Sequence, residues 1–351
     1  MKSQNIFDRI TSISDPPFVV AEMSGNHRGN INNAIKLLEQ AHKSGANAIK
    51  LQTYTPDTMT IKSDNEFFKV SKGLWTGYSL YDLYNEAHTP WDWHATIFNK
   101  AKELGIECFS TPFDKTAVDF LENIGVSIYK VASFELNDLD LISYIASTNK
   151  PIIMSIGMAN MKEIEDALNV IYKHGNSKIC LLYCVSGYPT PINEANLLTL
   201  PELKKLFKNI VFGFSDHTLG TTASIVAVGL GARLIEKHFT LKRSDGGPDA
   251  EFSLEPHELK ELVEQTKKAW SCLGEVRFER KLSEKPNLIF RRSIFSVKDI
   301  HPGQIINESN IKVIRPGYGL SPKEFKNIIG LKAKKLIKRG TPITWKLIEK
   351  N

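Results

Sequence analysis

The stretch IVFGFSDHTLGTTASIVAVGLGARLIEKHF, residues 210–239, holds one full turn of the pattern that decides the fold. Residues 210–216 form a short apolar run ending in Ser215 and Asp216, residues 222–230 carry helical periodicity, and residues 234–239 are apolar again around Glu236, Lys237 and His238. Runs that are continuously apolar read as strands covered on both faces, and a helix between two of them is a strand-helix-strand unit.

Six further runs of the same kind lie upstream, at 18–23, 48–53, 107–112, 128–133, 151–157 and 179–184, with helical segments at 31–44, 91–104, 117–123 and 162–173. Eight strands alternating with helices over about 250 residues predict a (β/α)8 TIM barrel, an α/β fold whose chemistry sits at the C-terminal ends of its strands. The competitor, a doubly wound open sheet, is disfavoured because no glycine-rich dinucleotide fingerprint follows the first strand. Residues 62–90 form a long insertion after the second strand, carrying Trp75, Tyr78, Tyr81 and Tyr84, and are expected to hang over the barrel mouth.

A helix over 255–272 closes the barrel. The pattern then changes to short β-rich pieces at 293–297 and 311–314, punctuated by proline-glycine pairs. The expected organisation is therefore a catalytic barrel over 1–274, a charged linker over 275–289 and a small domain over 290–351. At about 60 residues that tail is short enough to need a partner surface for stability.

The chain of 351 residues is 42% hydrophobic and 24% charged, a balance that excludes a disordered chain. Its net charge of +6 is scattered until Lys332, Lys334, Lys335, Lys338 and Arg339. Without an aromatic-interleaved recognition motif that run reads as a solvated face, so no nucleic-acid partner is expected. Cys108, Cys180, Cys184 and Cys272 match no zinc or redox spacing and read as buried thiols. No signal peptide or membrane-length apolar run is visible, which places the protein in the cytoplasm with no membrane partner.

The polar residues at the predicted strand ends are Glu22, Asn26 and His27; Lys50 and Gln52; Ser110 and Thr111; Lys130, Ser133 and Glu135; Ser155; Ser186 and Tyr188; Ser215 and His217; and Glu236, Lys237 and His238. In a barrel they converge on one cavity. Hydroxyls and lysines around a ring suit a phosphate-bearing anion, since each supplies a donor and the two ammonium groups offset its charge. His217 and His238 end consecutive strands, which lie about 4.8 Å apart, so both imidazoles can reach one metal ion; structural histidines are the equal alternative. Asp216 either orients a ligand or caps the next helix. Residues 246–249, GGPD, form either a sugar-contacting turn or an ordinary surface turn.

The motifs AEMSGNHRG (21–29), KLQTYTPDT (50–58), FSTPFD (109–114), YKVASFE (129–135), SDHTLG (215–220) and EKHFTL (236–241) together resemble the sialic acid synthases and their bacterial relatives that make pseudaminic and legionaminic acids. The resemblance spans nearly the whole chain. RRSIF (291–295) and IRPGYGL (314–320) resemble the family's antifreeze-like SAF domain, which implies a domain-swapped homodimer. Residues 74–94 are similar to the branch that makes pseudaminic acid. That likeness implies phosphoenolpyruvate and an amino-sugar aldehyde, 2,4-diacetamido-2,4,6-trideoxy-L-altrose, as substrates.

By the same resemblance, phosphoenolpyruvate falls to Lys50, Thr111, Lys130, Ser133, Ser155 and Ser215. The sugar falls to Gln52, Glu135, Tyr188, Asp249 and Arg315, and a divalent metal, Mn2+ or Mg2+, to His217 and His238. Ser186 stands near the position where sialic acid synthases carry an asparagine, and is a substitute phosphate contact. Glu22 is expected as general base or water-positioning group beside the metal. Two other classes remain at this point: a Schiff-base aldolase using Lys50 or Lys130, and a non-catalytic sugar-binding protein.

Overall fold

The computed structural model describes residues 5–349. Eight parallel strands close into a barrel in sequence order: β1 Phe18–Glu22, β2 Ala48–Thr53, β3 Glu107–Pro112, β4 Tyr129–Val131, β5 Ile152–Ser155, β6 Ile179–Cys184, β7 Val211–Asp216 and β8 Leu234–His238. The fold is the TIM barrel that the alternation predicts. Helices Leu139–Ser147 and Thr199–Leu206, absent from the periodicity reading, supply the crossings after β4 and β6. Their neighbours start and stop on local chemistry. The Asp114 carboxylate caps Lys115–Ile124 by accepting from the Thr116 and Ala117 amides, and Gly125, at φ 78°, ends it.

Side-chain alternation along each strand builds two cores and the site. One parity faces the helices and makes the larger core, with Val19, Ala21, Ile49, Leu51, Leu181, Phe212, Phe214 and Ile235. The other parity fills the barrel interior with Phe18, Val20, Ala48, Phe109, Ile128, Ile153, Cys180, Leu182 and Leu234, plugged by Ile6 and Ile10 of the first helix. Gly213 belongs to this interior set. A Cβ there would lie 2.6 Å from the Leu182 side chain and 2.4 Å from the Leu234 carbonyl oxygen, so the layer has no room for a side chain.

Continuing the interior parity toward the C-terminal ends, the apolar layer gives way to Glu22, Lys50, Gln52, Thr111, Lys130, Ser155, Cys184, Ser215, Glu236 and His238. The parallel register sets Glu22 beside both Lys50 and His238, and Ser215 beside Glu236. The polar ring is thus a direct consequence of period 2 in the sequence.

The chain divides into two compact units, Met1–Gly274 and Glu275–Asn351. In the second unit, β9 Ser293–Ser296 pairs antiparallel with β10 Ile311–Ile314 over a core that includes Ile294, Ile300, Ile306, Ile337 and Ile343. Within the stretch expected as a linker, Leu282–Phe290 forms a 3-10 helix with no buried residue. One expectation is corrected. Cys180 and Cys184 are buried and Cys108 is half-buried, but Cys272, in the last turn of the exposed end of helix Pro256–Leu273, is open to solvent. Among the described residues no helix is long and apolar enough to cross a membrane.

Candidate active site

Four buried charges sit at the centre of the ring. The Lys50 ammonium lies 2.6 Å from Glu22 Oε2 and 3.7 Å from Glu236 Oε1, and donates to Thr111 Oγ1 at 3.2 Å. Lys130 lies 3.6 Å from the same Glu236 oxygen and donates to Ser155 Oγ at 2.7 Å, while Ser215 Oγ donates to Glu236 Oε1 at 3.2 Å. Burial works against every one of these charges, and the partners decide the outcome. Burial raises Glu236, but two lysines outweigh it and hold its carboxyl below the ordinary range. Burial lowers Lys50, but Glu22 and Glu236 hold it as an ammonium. Burial, with Glu236 adding, pushes Glu22 up against the pull of Lys50. Burial also lowers Lys130. Two cations are thus shared with two acids, and burial raises one of the acids.

Ser133 and Ser186 form a second group beside this cluster. Ser133 Oγ accepts from the Gly157 amide at 3.1 Å, and Ser186 Oγ lies 3.8 Å from Cys184 Sγ. A Cβ on Gly157 would fall 2.3 Å from Ser186 Oγ and 2.8 Å from Ser133 Oγ, so a glycine is what lets the two hydroxyls flank the backbone there.

On the other side, Gln52 Nε2 donates to Glu22 Oε1 at 2.9 Å and to Ser24 Oγ at 3.1 Å, and Ser24 in turn donates to Asp249 Oδ2. Asp249 Oδ2 lies 3.7 Å from His238 Nδ1. The turn at 246–249 is therefore no plain surface turn: Gly247, at φ 123°, brings a buried aspartate to the ring. Burial raises the Asp249 carboxyl. The Tyr188 ring lies against His217, tilted by 40° with ring centroids 4.4 Å apart. Gln52, Glu135, Tyr188, His238 and Asp249 all line one cavity of about 370 Å³ that opens above the cluster.

Glu135 has its Oε2 buried without a hydrogen-bond partner, and burial pushes its carboxyl from an ordinary 4.5 up to about 7. The folded chain therefore holds a proton that the unfolded chain gives up between about pH 4.5 and 7, and stability falls as pH rises across that window. Glu135→Gln is expected to flatten that slope in unfolding measurements and to remove an inflection near pH 7 from kcat/KM. An unchanged profile would take Glu135 out of the cavity's proton balance.

His217 and His238 face one another with ring centroids 5.5 Å apart. His217 Nδ1 is tied to the Val185 carbonyl oxygen at 3.0 Å, which leaves Nε2 as its free nitrogen. Burial, with His217 and the lysines adding, keeps His238 neutral, and its Nδ1 is buried without a partner. Against burial, the Cys184 sulfur and the Val185 carbonyl oxygen hold His217 raised, so the orphaned His238 nitrogen suits a divalent metal as it stands and His217 does so after losing a proton. Among the described residues no group of three or more His, Cys, Asp and Glu side chains is gathered so as to hold a metal ion.

Not every strand-end residue reaches the cavity. Lys237 faces the helices, where it bonds Asp216 at 2.9 Å and the Thr218 carbonyl oxygen at 2.5 Å. Asp216 also accepts from Ser224 and Thr218, so it locks the loop that carries His217, and it does not cap helix Thr222–Gly229. Asn26 bonds the Phe239 carbonyl oxygen and Ser253, His27 packs edge-on to Trp93, and Ser110 bonds Thr53. Each has the wrong parity or lies past the strand. Arg315 belongs to the second unit and is exposed there. Glu236, given no role from sequence, is the hub of the cluster; its place two residues before His238 carried the signal.

An enclosed ring of lysines, hydroxyls and carboxylates at the mouth of a TIM barrel defines an enzyme site for a small anionic substrate. The chain belongs to the NeuB family, whose model matches residues 37–278, and a SAF domain model matches residues 291–349. It is 44% identical to the pseudaminic acid synthase of Helicobacter pylori over 96% of this chain and 99% of that one. It is 39% identical to the N,N'-diacetyllegionaminic acid synthase of Campylobacter jejuni over 89% of this chain and 94% of that one. The crystal structure of the N-acetylneuraminic acid synthetase of Leptospira borgpetersenii superposes with a TM-score of 0.70 at 32% identity, covering 78% of this chain and 90% of that one.

Proposed function

We propose that this chain condenses phosphoenolpyruvate with 2,4-diacetamido-2,4,6-trideoxy-L-altrose to give pseudaminic acid and phosphate. The observation that carries the reading is the joining of two halves in one site: a buried cluster of two lysines and a row of hydroxyls fit for an enol phosphate, below a cavity lined by the polar groups Gln52, Glu135 and Asp249. The likeness to the Helicobacter pylori enzyme supports the choice of acceptor.

In this reaction C3 of phosphoenolpyruvate forms a bond to the aldehyde carbon of the open-chain sugar, water adds at C2, and phosphate leaves with cleavage of the C–O bond. Lys50 and Lys130 bind the anion with Thr111, Ser133, Ser155, Ser186 and Ser215 as donors. Glu22, buried and raised beside Lys50, positions the water and takes its proton. Gln52, Glu135, Tyr188 and Asp249 hold the sugar, and Arg315 holds it from the small domain of a second chain in a swapped homodimer. His217 and His238 would hold a Mn2+ or Mg2+ ion, which when bound supplies Lewis-acid polarisation of an aldehyde oxygen. The proposed setting is the cytoplasm.

The test is phosphate release from phosphoenolpyruvate with a panel of N-acetyl and diacetamido hexoses. Preference for the altrose by orders of magnitude is expected, because groups matched to the second acetamido stay unpaired with N-acetylmannosamine. Preference for N-acetylmannosamine or the legionaminate precursor reassigns the acceptor. Borohydride trapping of a lysine adduct would replace the reaction with Schiff-base chemistry.

A further inference from the structure

The cavity above the cluster is lined by side chains of two kinds. Gln52, Glu135, His238 and Asp249 are among its polar ones. Met59, Val70, Leu80 and Leu83 make an apolar face, and all four come from the segment that follows β2. We propose that this face is the specificity-determining wall for the far end of the acceptor, taking a methyl at C6 and rejecting a hydroxyl there, with Trp75 as the positioning residue that holds it. The inference rests on the proposed reaction.

Orientation follows from the chemistry. The aldehyde carbon of the acceptor must meet the enol phosphate beside the lysines, so C6, five bonds along the chain, lies farthest from them. A hydroxyl placed against Val70, Leu80 and Leu83 finds no hydrogen-bond partner on those side chains and loses its water, whereas a methyl loses nothing polar.

The wall is held rather than loose. The Val70 amide donates to the Tyr78 carbonyl oxygen at 2.9 Å, and the Gly77 amide donates to the Val70 carbonyl oxygen at 3.0 Å, so Val70 sits in a tight hairpin-like loop. Ser79 caps helix Leu80–Ala87 by accepting from the Asp82 amide at 3.1 Å. Trp75 ties the loop to the far rim: its indole Nε1 donates to the Pro248 carbonyl oxygen at 2.7 Å, and its ring lies 5.5 Å from that of Tyr188. It touches the neighbour of Asp249 on one side and the ring that lies against His217 on the other.

The experiment uses the full chain and two acceptors that differ only at C6, the 6-deoxy diacetamido altrose and its 6-hydroxy counterpart. The wild type is expected to favour the former by about 10²-fold in kcat/KM, the scale on which an apolar pocket rejects an added hydroxyl. Val70→Thr, which keeps the volume and adds a hydroxyl, and Leu80→Asn are each expected to narrow that ratio by about tenfold, with the KM for phosphoenolpyruvate unchanged. Trp75→Phe keeps a ring and removes the donor. It is expected to raise KM for both sugars by about tenfold while kcat moves less. A wild-type ratio near one, or ratios unchanged in folded Val70→Thr and Leu80→Asn, overturns the wall. Absence of phosphate release with either sugar overturns the reaction and the wall's assignment together.

Discussion

Lys130→Met is expected to lower kcat/KM for phosphoenolpyruvate by about 10³-fold, the cost of deleting one preorganised donor to a developing anion. The methionine keeps the apolar stem, so packing survives and the loss reports the ammonium. Removing it also strips Glu236 of one of its two lysines, and breaking a buried ion pair from one side costs on the order of 3 kcal/mol. The two effects separate by measurement: phosphate release reads the first, and denaturant unfolding reads the second. Adding Glu236→Gln should recover much of the stability and none of the activity. Near-wild-type kcat/KM in the single variant would remove Lys130 from the anion site.

His238→Ala is the second large effect. It deletes an imidazole whose Nδ1 has no other partner, so the fold should survive while bound Mn2+, measured on the purified protein, and turnover both fall by about 10²-fold or more. Full metal occupancy would end the two-histidine site. The same variant tests the swapped tail. Mixed with Arg315→Ala, which is also expected to be nearly inactive, it forms about half mixed dimers by statistics, and in a symmetric dimer about a quarter of all sites then combine an intact barrel with an intact tail. Recovery of that fraction is expected. No recovery, with mixed dimers proven by mass, places Arg315 in its own chain's site or in none.

The strands and the charged ring were legible because both follow from period 2. Phe18, Val20 and Glu22, or Leu234, Glu236 and His238, show the interior parity passing from apolar to polar within one strand. What sequence did not show was the sidedness of the strand ends. Lys237 and Ser110 look like ring members until the parity is applied, and Asn26 and His27 lie past the strand in a 3-10 turn, Ser24–His27, whose direction no periodicity fixes. Helix Leu139–Ser147 escaped notice because it is short and starts after a second 3-10 turn, Ser133–Glu135. The apolar wall was out of reach for a different reason: Met59, Val70 and Leu83 meet only through long-range packing of the insertion.

That packing also fixes what can be moved between proteins. Helix Leu80–Ala87 lies so close to the turn after β1 that a Cβ on Gly25 would be 3.0 Å from both Cα and Cβ of Ala87. The insertion and the first loop of the barrel are therefore packed as one unit, linked through a pair of small residues 62 positions apart in the sequence. A chimaera that receives residues 59–90 on a barrel with a side chain at position 25 would have to shift Ala87 by a few tenths of an ångström, so the two segments are best exchanged together.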